Sequence, residues 1–275
     1  MDSSPRVGSD LARQIVVISA VVFMIIAAMV GTGLFGGTNV RDLQGGALDA
    51  DATMLAPGRP AFSIWTVVYV LTVAYAVWQA LPGQRARERQ RYAGWWIAAT
   101  AVLNGCWLLV SQFLDLVGTV IAIVVLLAVL GGTLRVLVVR PPEGWADRIL
   151  MDGAVGIHLG WVTLATVANI TAWLAAEVAP PMDERTQAVW AVIVLIVVAA
   201  VGVAIALGTR TERARPRLAP ALAMAWGLVW IGIQRLTGEP HSVAVAVTAF
   251  IVAGVVLAAA LVLGPKRPRR ARVVL

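Results

Sequence analysis

Eight stretches of this chain are each long and apolar enough to cross a lipid bilayer as a helix, and that leaves few other folds open to it. A hydrocarbon core roughly 30 Å thick needs about 20 mostly apolar residues at the helical rise. The stretches lie at about 15–36, 61–81, 93–113, 116–139, 149–175, 187–208, 218–236 and 242–264. In hydrocarbon each backbone N–H and C=O must find its partner within the protein, which a helix achieves inside one segment. The expected fold is therefore an all-α integral membrane protein with eight transmembrane helices. The seventh stretch is the least uniform, interrupted by Trp226, Trp230 and Gln234, so seven spans is the alternative. With 60% hydrophobic and 13% charged residues and a mean hydropathy of +0.84, the chain lacks the polar surface of a soluble domain. The stretch from Ile15 exceeds a signal-peptide core and has no small-x-small cleavage site before a polar region. It reads as a retained first helix.

The net charge of +7 does not indicate nucleic acid, because the basic residues sit in short clusters between apolar runs. With alternating spans, Arg6, Arg13, the Arg85–Arg91 group, Arg135, Arg140, Arg148, the Arg210–Arg217 group and Lys266–Arg272 share one side. Only Arg41, Arg59, Arg185 and Arg235 fall on the other. Basic loops stay cytoplasmic, so both termini are expected there, in a bacterial-type cytoplasmic (inner) membrane. Residues 1–14 form a cytoplasmic N-terminal segment and 265–275 a basic cytoplasmic tail. Membrane lipid is the first expected partner of these clusters.

The third and fourth spans meet almost directly around Asp115, which makes them antiparallel neighbours. The first external loop, about 37–60, is longer and carries Gly36-Gly37, Gly45-Gly46, Arg41, Asp42, Asp49, Asp51 and Pro57-Gly-Arg-Pro60. A lid over a binding site and a disordered linker are the two readings of such a loop. Gly156 and Gly160 form a GxxxG, which indicates close helix packing; a homodimer is compatible with the sequence but is not required by it. Cys106 has no second cysteine to pair with. Asp152, the deepest carboxylate, is expected to pair with Arg148, four residues earlier, or with Arg135.

Within the fifth span, Trp161, Ala165, Asn169 and Trp173 recur every four residues, which sets two indoles, an amide and a gap on one helix face. That stripe suits either helix packing or a flat aromatic ligand. Enzymatic readings have little to stand on. The sequence shows no metal-spaced Cys/His cluster, no Ser-His-Asp set on one side of the membrane and no phosphate loop ending in Lys. The only lysine, Lys266, lies beyond the last span.

Three spans share a texture: Ala61-Phe-Ser-Ile-Trp65-Thr-Val-Val-Tyr69, then Asn104-Gly-Cys-Trp107, then the Trp161–Trp173 stripe. In these the chain resembles the TspO/MBR family of tryptophan-rich sensory or translocator proteins. The resemblance covers about 15–175, with Pro57-Gly-Arg-Pro60 in place of the family's Pro-Pro-x-Trp and Ile157-His158 in place of its Pro-Tyr. It implies a TspO-like five-helix domain at 15–175, with three additional helices at 187–264. It also implies a pocket for a tetrapyrrole (porphyrin or haem) or a similar planar apolar small molecule. No cofactor is required; a bound porphyrin or haem is what the resemblance allows. Carried over position by position, the ligand-binding residues are Trp65, Tyr69, Asn104, Trp107, Trp161, Ala165 and Asn169, with Phe62, His158 and Trp173 as further candidates. For the tryptophans the other role is core packing. For Asn104 and Asn169 it is pairing with each other or with a backbone carbonyl. No metal site is expected, and His158 lacks a second axial partner. A transporter of an apolar metabolite, its path completed by the last three helices, is the alternative function.

Overall fold

The computed structural model describes residues 4–34, 42–209 and 218–263. Among them are eight long helices and no strand: α1 (Ser4–Gly31), α2 (Ile64–Ala80), α3 (Glu88–Phe113), α4 (Leu116–Val139), α5 (Ala154–Trp173), α6 (Glu184–Gly208), α7 (Leu218–Thr237) and α8 (Val243–Val262). All but α7 belong to the seven helical segments long and apolar enough to cross a membrane. The exception falls on the weakest stretch of the sequence, and packing accounts for it. α7 lies against both α5 and α8, burying Ala221, Met224, Leu228 and Ile231. A helix covered by protein needs less uniform apolarity than one bathed in lipid.

α1 begins at Ser4, well before residue 15, and ends at Gly31 rather than 36. Its early start is possible because α3 and the turn just before it satisfy the polar residues near its start. Asp10 receives two hydrogen bonds from Arg91, at 2.8 and 2.5 Å, and Arg13 donates to the Arg85 carbonyl at 2.9 Å. The helix ends where Gly33 adopts a φ of 80°, in the left-handed region that glycine tolerates. At the predicted junction Asp115 caps α4, accepting from the Gly118 N–H at 2.8 Å.

Two hydrophobic cores share α5. One joins α1–α5 around Met24, Ile97, Leu126, Leu130 and Val162. The other joins α5–α8 around Leu164, Leu195, Met224, Leu228 and Val256. The GxxxG face of α5 is occupied within the chain. A Cβ on Gly156 would stand 2.7 Å from the Ala219 Cβ, and one on Gly160 would collide with the Pro220 carbonyl. α7 therefore lies directly on α5.

Asp152 pairs with neither Arg148 nor Arg135. Its partner is Arg89 of α3, which also approaches Asp147 at 3.9 Å. Asp147–Gly153 is a π-helical turn leading into α5, and its wider winding offers Asp147 and Asp152 to α3 rather than along their own helix. Arg87 bridges Glu143 and Asp147 at 2.7 Å each. The Arg210–Arg217 cluster, the 265–275 tail, Arg41 and Gly36-Gly37 lie outside the described residues.

Candidate functional site

One turn apart on α2, the rings of Trp65 and Tyr69 stack at 5.6 Å and 18°. Trp107 of α3 stacks on the Trp65 ring at 6.1 Å and 22°. Trp161 of α5 meets Trp65 edge-on at 6.2 Å and 85°, and Phe62 meets Trp161 likewise at 5.6 Å and 79°. Offset stacks and edge-to-face pairs are the arrangements that ring quadrupoles favour, so the cluster holds its own shape. Trp107 donates its indole N–H to the Asn169 side-chain oxygen at 3.4 Å. The Asn169 amide nitrogen donates to the Ala165 carbonyl one turn back, at 2.8 Å.

These side chains line a cavity of about 480 Å³ that also touches Ala165 and Asn169. That volume lies within the usual range for ligand pockets. The opposite wall comes from the end of α1, through Ile25, Ala28, Met29 and Thr32, and the roof from residues 47–59. No lining residue belongs to α6, α7 or α8.

Residues 47–59 of the predicted loop lie over the cavity, and α7 holds them there. Arg235, fully buried, donates to the Thr53 carbonyl at 3.0 Å and to the Ala50 carbonyl at 2.7 Å. The Gly58 N–H donates to the Trp230 carbonyl at 3.2 Å, and the Trp226 indole donates to the Ala61 carbonyl at 2.9 Å. Across the mouth, Arg59 grips Asp49 with bonds of 3.1 and 2.6 Å. The cavity thus has an aromatic, apolar floor and an ion pair at its rim.

Of the residues singled out from sequence, Phe62, Trp65, Tyr69, Trp107, Trp161, Ala165 and Asn169 meet at this cavity, while Asn104, His158 and Trp173 do not line it. Asn104, fully buried, lies one turn before Trp107, and neither atom of its amide has a partner. His158 is buried behind Trp65, its ring edge-on at 5.8 Å, with its Nε2 unpartnered. Trp173 is half-buried at the end of α5. The wall offers no histidine or cysteine, and among the described residues no group of three or more His, Cys, Asp or Glu could hold a metal. His158 lies outside the lining, edge-on to Trp65, and so is not placed to ligate haem iron in this cavity. Sequence reasoning missed the α1 wall and Arg235. A charged residue within an apolar span is a recognisable signal of function, and Arg235 carried it.

The model of the TSPO-like protein family matches residues 13–262. The chain belongs to this family. The match runs through α6, α7 and α8, beyond the 15–175 region in which the quoted motifs lie. Membership in the TSPO-like family, with seven apolar helical segments, makes this a multi-pass membrane protein and suggests a sensory or binding role. No curated protein and no solved structure matches the chain.

Proposed function

We propose that this TSPO-like protein binds a tetrapyrrole, or a planar apolar molecule of similar size, in the cavity beneath residues 47–59. The observation that carries the proposal is the stack of Trp65, Tyr69 and Trp107 on a cavity wall completed by Trp161. Indole and phenol faces supply large rigid contact area with little side-chain entropy to lose. The Asn169 amide and the Arg59–Asp49 pair supply polar contacts where a ligand's edge groups would lie. Metal is not needed for this mode of binding, so free-base porphyrin is the appropriate probe.

Binding is favoured over translocation by the placement of the last helices. α6–α8 contribute no wall, and α7 instead fixes the roof. A sensor needs a pocket whose occupancy alters a held segment, and the 47–59 roof is such a segment. The test is titration of the purified protein with protoporphyrin IX, following tryptophan quenching in the wild type and in pocket variants.

A further inference from the structure

A second cavity, also about 480 Å³, opens at the other end of α1 and α3, lined by Ser9, Asp10, Arg13, Glu88, Arg91, Tyr92 and Trp95. It lies where α1 and α3 begin, whereas the aromatic pocket lies where α1 ends. Its chemistry is also different.

Arg13 is buried to 1% exposure. One of its nitrogens donates to the Arg85 carbonyl, while its Nε and Nη1 have no partner. It lies flat on α3 because position 94 is glycine; a Cβ there would stand 2.8 Å from the Arg13 Cδ. Buried guanidinium donors without acceptors are costly, and the cavity is where an acceptor would enter. Arg91 is fixed beside it by Asp10, at 2.5 Å, and remains 35% exposed. The Arg140 guanidinium covers the ring of Tyr92, a lining residue, at 3.5 Å, though Arg140 itself does not line the cavity. Glu88 is the opposite case, an exposed carboxylate with neither ion pair nor side-chain hydrogen bond among the described residues.

The cavity thus pairs guanidinium donors with a free carboxylate, which suits a zwitterion rather than a simple anion. Its surroundings suit an amphiphile. Trp95 is 41% exposed at its edge, and Val102, two turns further along α3, is 39% exposed on the same face. Val16 continues the Ser9 face of α1 in the same way, 40% exposed. Exposed aromatic residues near span ends mark the headgroup level of a bilayer, and apolar stripes leading away from them lie beside acyl chains.

We propose that this cavity seats the headgroup of a phospholipid bearing a primary amine. The phosphate oxygens accept from Arg13 and Arg91, and the ammonium donates to Glu88. The acyl chains run along Trp95, Val102 and Val16. A primary ammonium has three donors and a trimethylammonium has none, so the site discriminates between the two headgroups.

Native mass spectrometry of the full-length protein, exchanged into an equimolar mixture of phosphatidylethanolamine, phosphatidylcholine and phosphatidylglycerol of identical chains, tests this. The expected result is phosphatidylethanolamine retained about fivefold over phosphatidylcholine, the order of one exposed charge-assisted pair. Glu88→Gln should abolish that preference without changing protoporphyrin affinity at the other end. Equal retention of the two lipids by the wild type overturns the proposal, whatever the variant does. So does a phosphatidylglycerol preference, which would reflect general attraction to basic loops, or a phosphatidylethanolamine preference that survives Glu88→Gln. Soluble phosphoethanolamine should not displace the lipid; displacement would mean that a water-soluble phosphate ester is the occupant and overturns the lipid assignment.

Discussion

Trp107 and Asn169 join α3 to α5 across the cavity, indole N–H to amide oxygen at 3.4 Å. The bond is long, but it is what orients both side chains, because the Asn169 nitrogen is already committed to Ala165 at 2.8 Å. Asn169→Ala removes the acceptor and leaves the Trp107 N–H unpartnered in a largely apolar site. We expect a loss of about 1–2 kcal/mol in stability, the usual cost of orphaning a buried donor, and weaker protoporphyrin binding. Thermal unfolding and titration of the same sample check both.

Gly160 tests how α7 is seated. Gly160→Ala places a methyl group against the Pro220 carbonyl, so α5 and α7 must separate. Overpacking of this kind costs about 1–3 kcal/mol. At Gly131 of α4 an added Cβ would meet nothing within 4 Å, so Gly131→Ala should be neutral or slightly stabilising through its better helix propensity. Unfolding midpoints of the two variants in one detergent should diverge accordingly.

Much of the fold is legible in the sequence because hydrocarbon leaves so few solutions. The eight apolar runs, the tight Asp115 turn and the close-packed Gly156/Gly160 face all follow from local composition and spacing. What is not legible depends on partners distant in sequence. Asp152 has Arg148 four residues away, yet its partner is Arg89, because a π-helical turn changes its direction. The early start of α1 is hidden because Asp10 and Arg13 look like solvent-facing residues until α3 is set beside them. At the site, the four-residue stripe leads to Trp161, Ala165 and Asn169 at the cavity, but spacing alone does not show that Trp173 falls off its end or that His158 lies behind Trp65. The role of Arg235 emerges only once α7 is known to pack beneath the loop.

Arg235→Met keeps much of the apolar stem but leaves the Ala50 and Thr53 carbonyls without their donor. Hydrogen bonds to a charged group contribute about 1.5–3 kcal/mol each, and most of that should appear as local opening of the roof. The expected outcome is faster proteolysis within residues 42–57 and faster protoporphyrin dissociation. Peptide mapping and stopped-flow fluorescence read these separately.

The buried Arg89 should be the more sensitive member of its cluster. Arg89→Met leaves Asp152 without its cation, while Asp147 keeps Arg87, a loss of about 3–5 kcal/mol for breaking a buried pair. Asp152→Asn keeps a hydrogen-bond acceptor beside Arg89, which also retains its bond to the Arg140 carbonyl at 2.8 Å. Its cost should be smaller. Denaturation of the single variants in parallel ranks them.

Which tryptophans a bound porphyrin quenches is the decisive observation. Trp65, Trp107 and Trp161 gather around the cavity, whereas Trp145 and Trp190 are exposed at 73% and 56% on the outer surface. Protoporphyrin IX is titrated into the wild type, into variants carrying Phe at position 65 or 107, and into a variant carrying Phe at both 145 and 190. Binding in the aromatic cavity predicts saturable quenching that weakens in the Trp65→Phe and Trp107→Phe proteins and persists in the Trp145/Trp190 double variant. Quenching that survives both pocket substitutions at unchanged affinity, or that vanishes with Trp145 and Trp190, would overturn binding there.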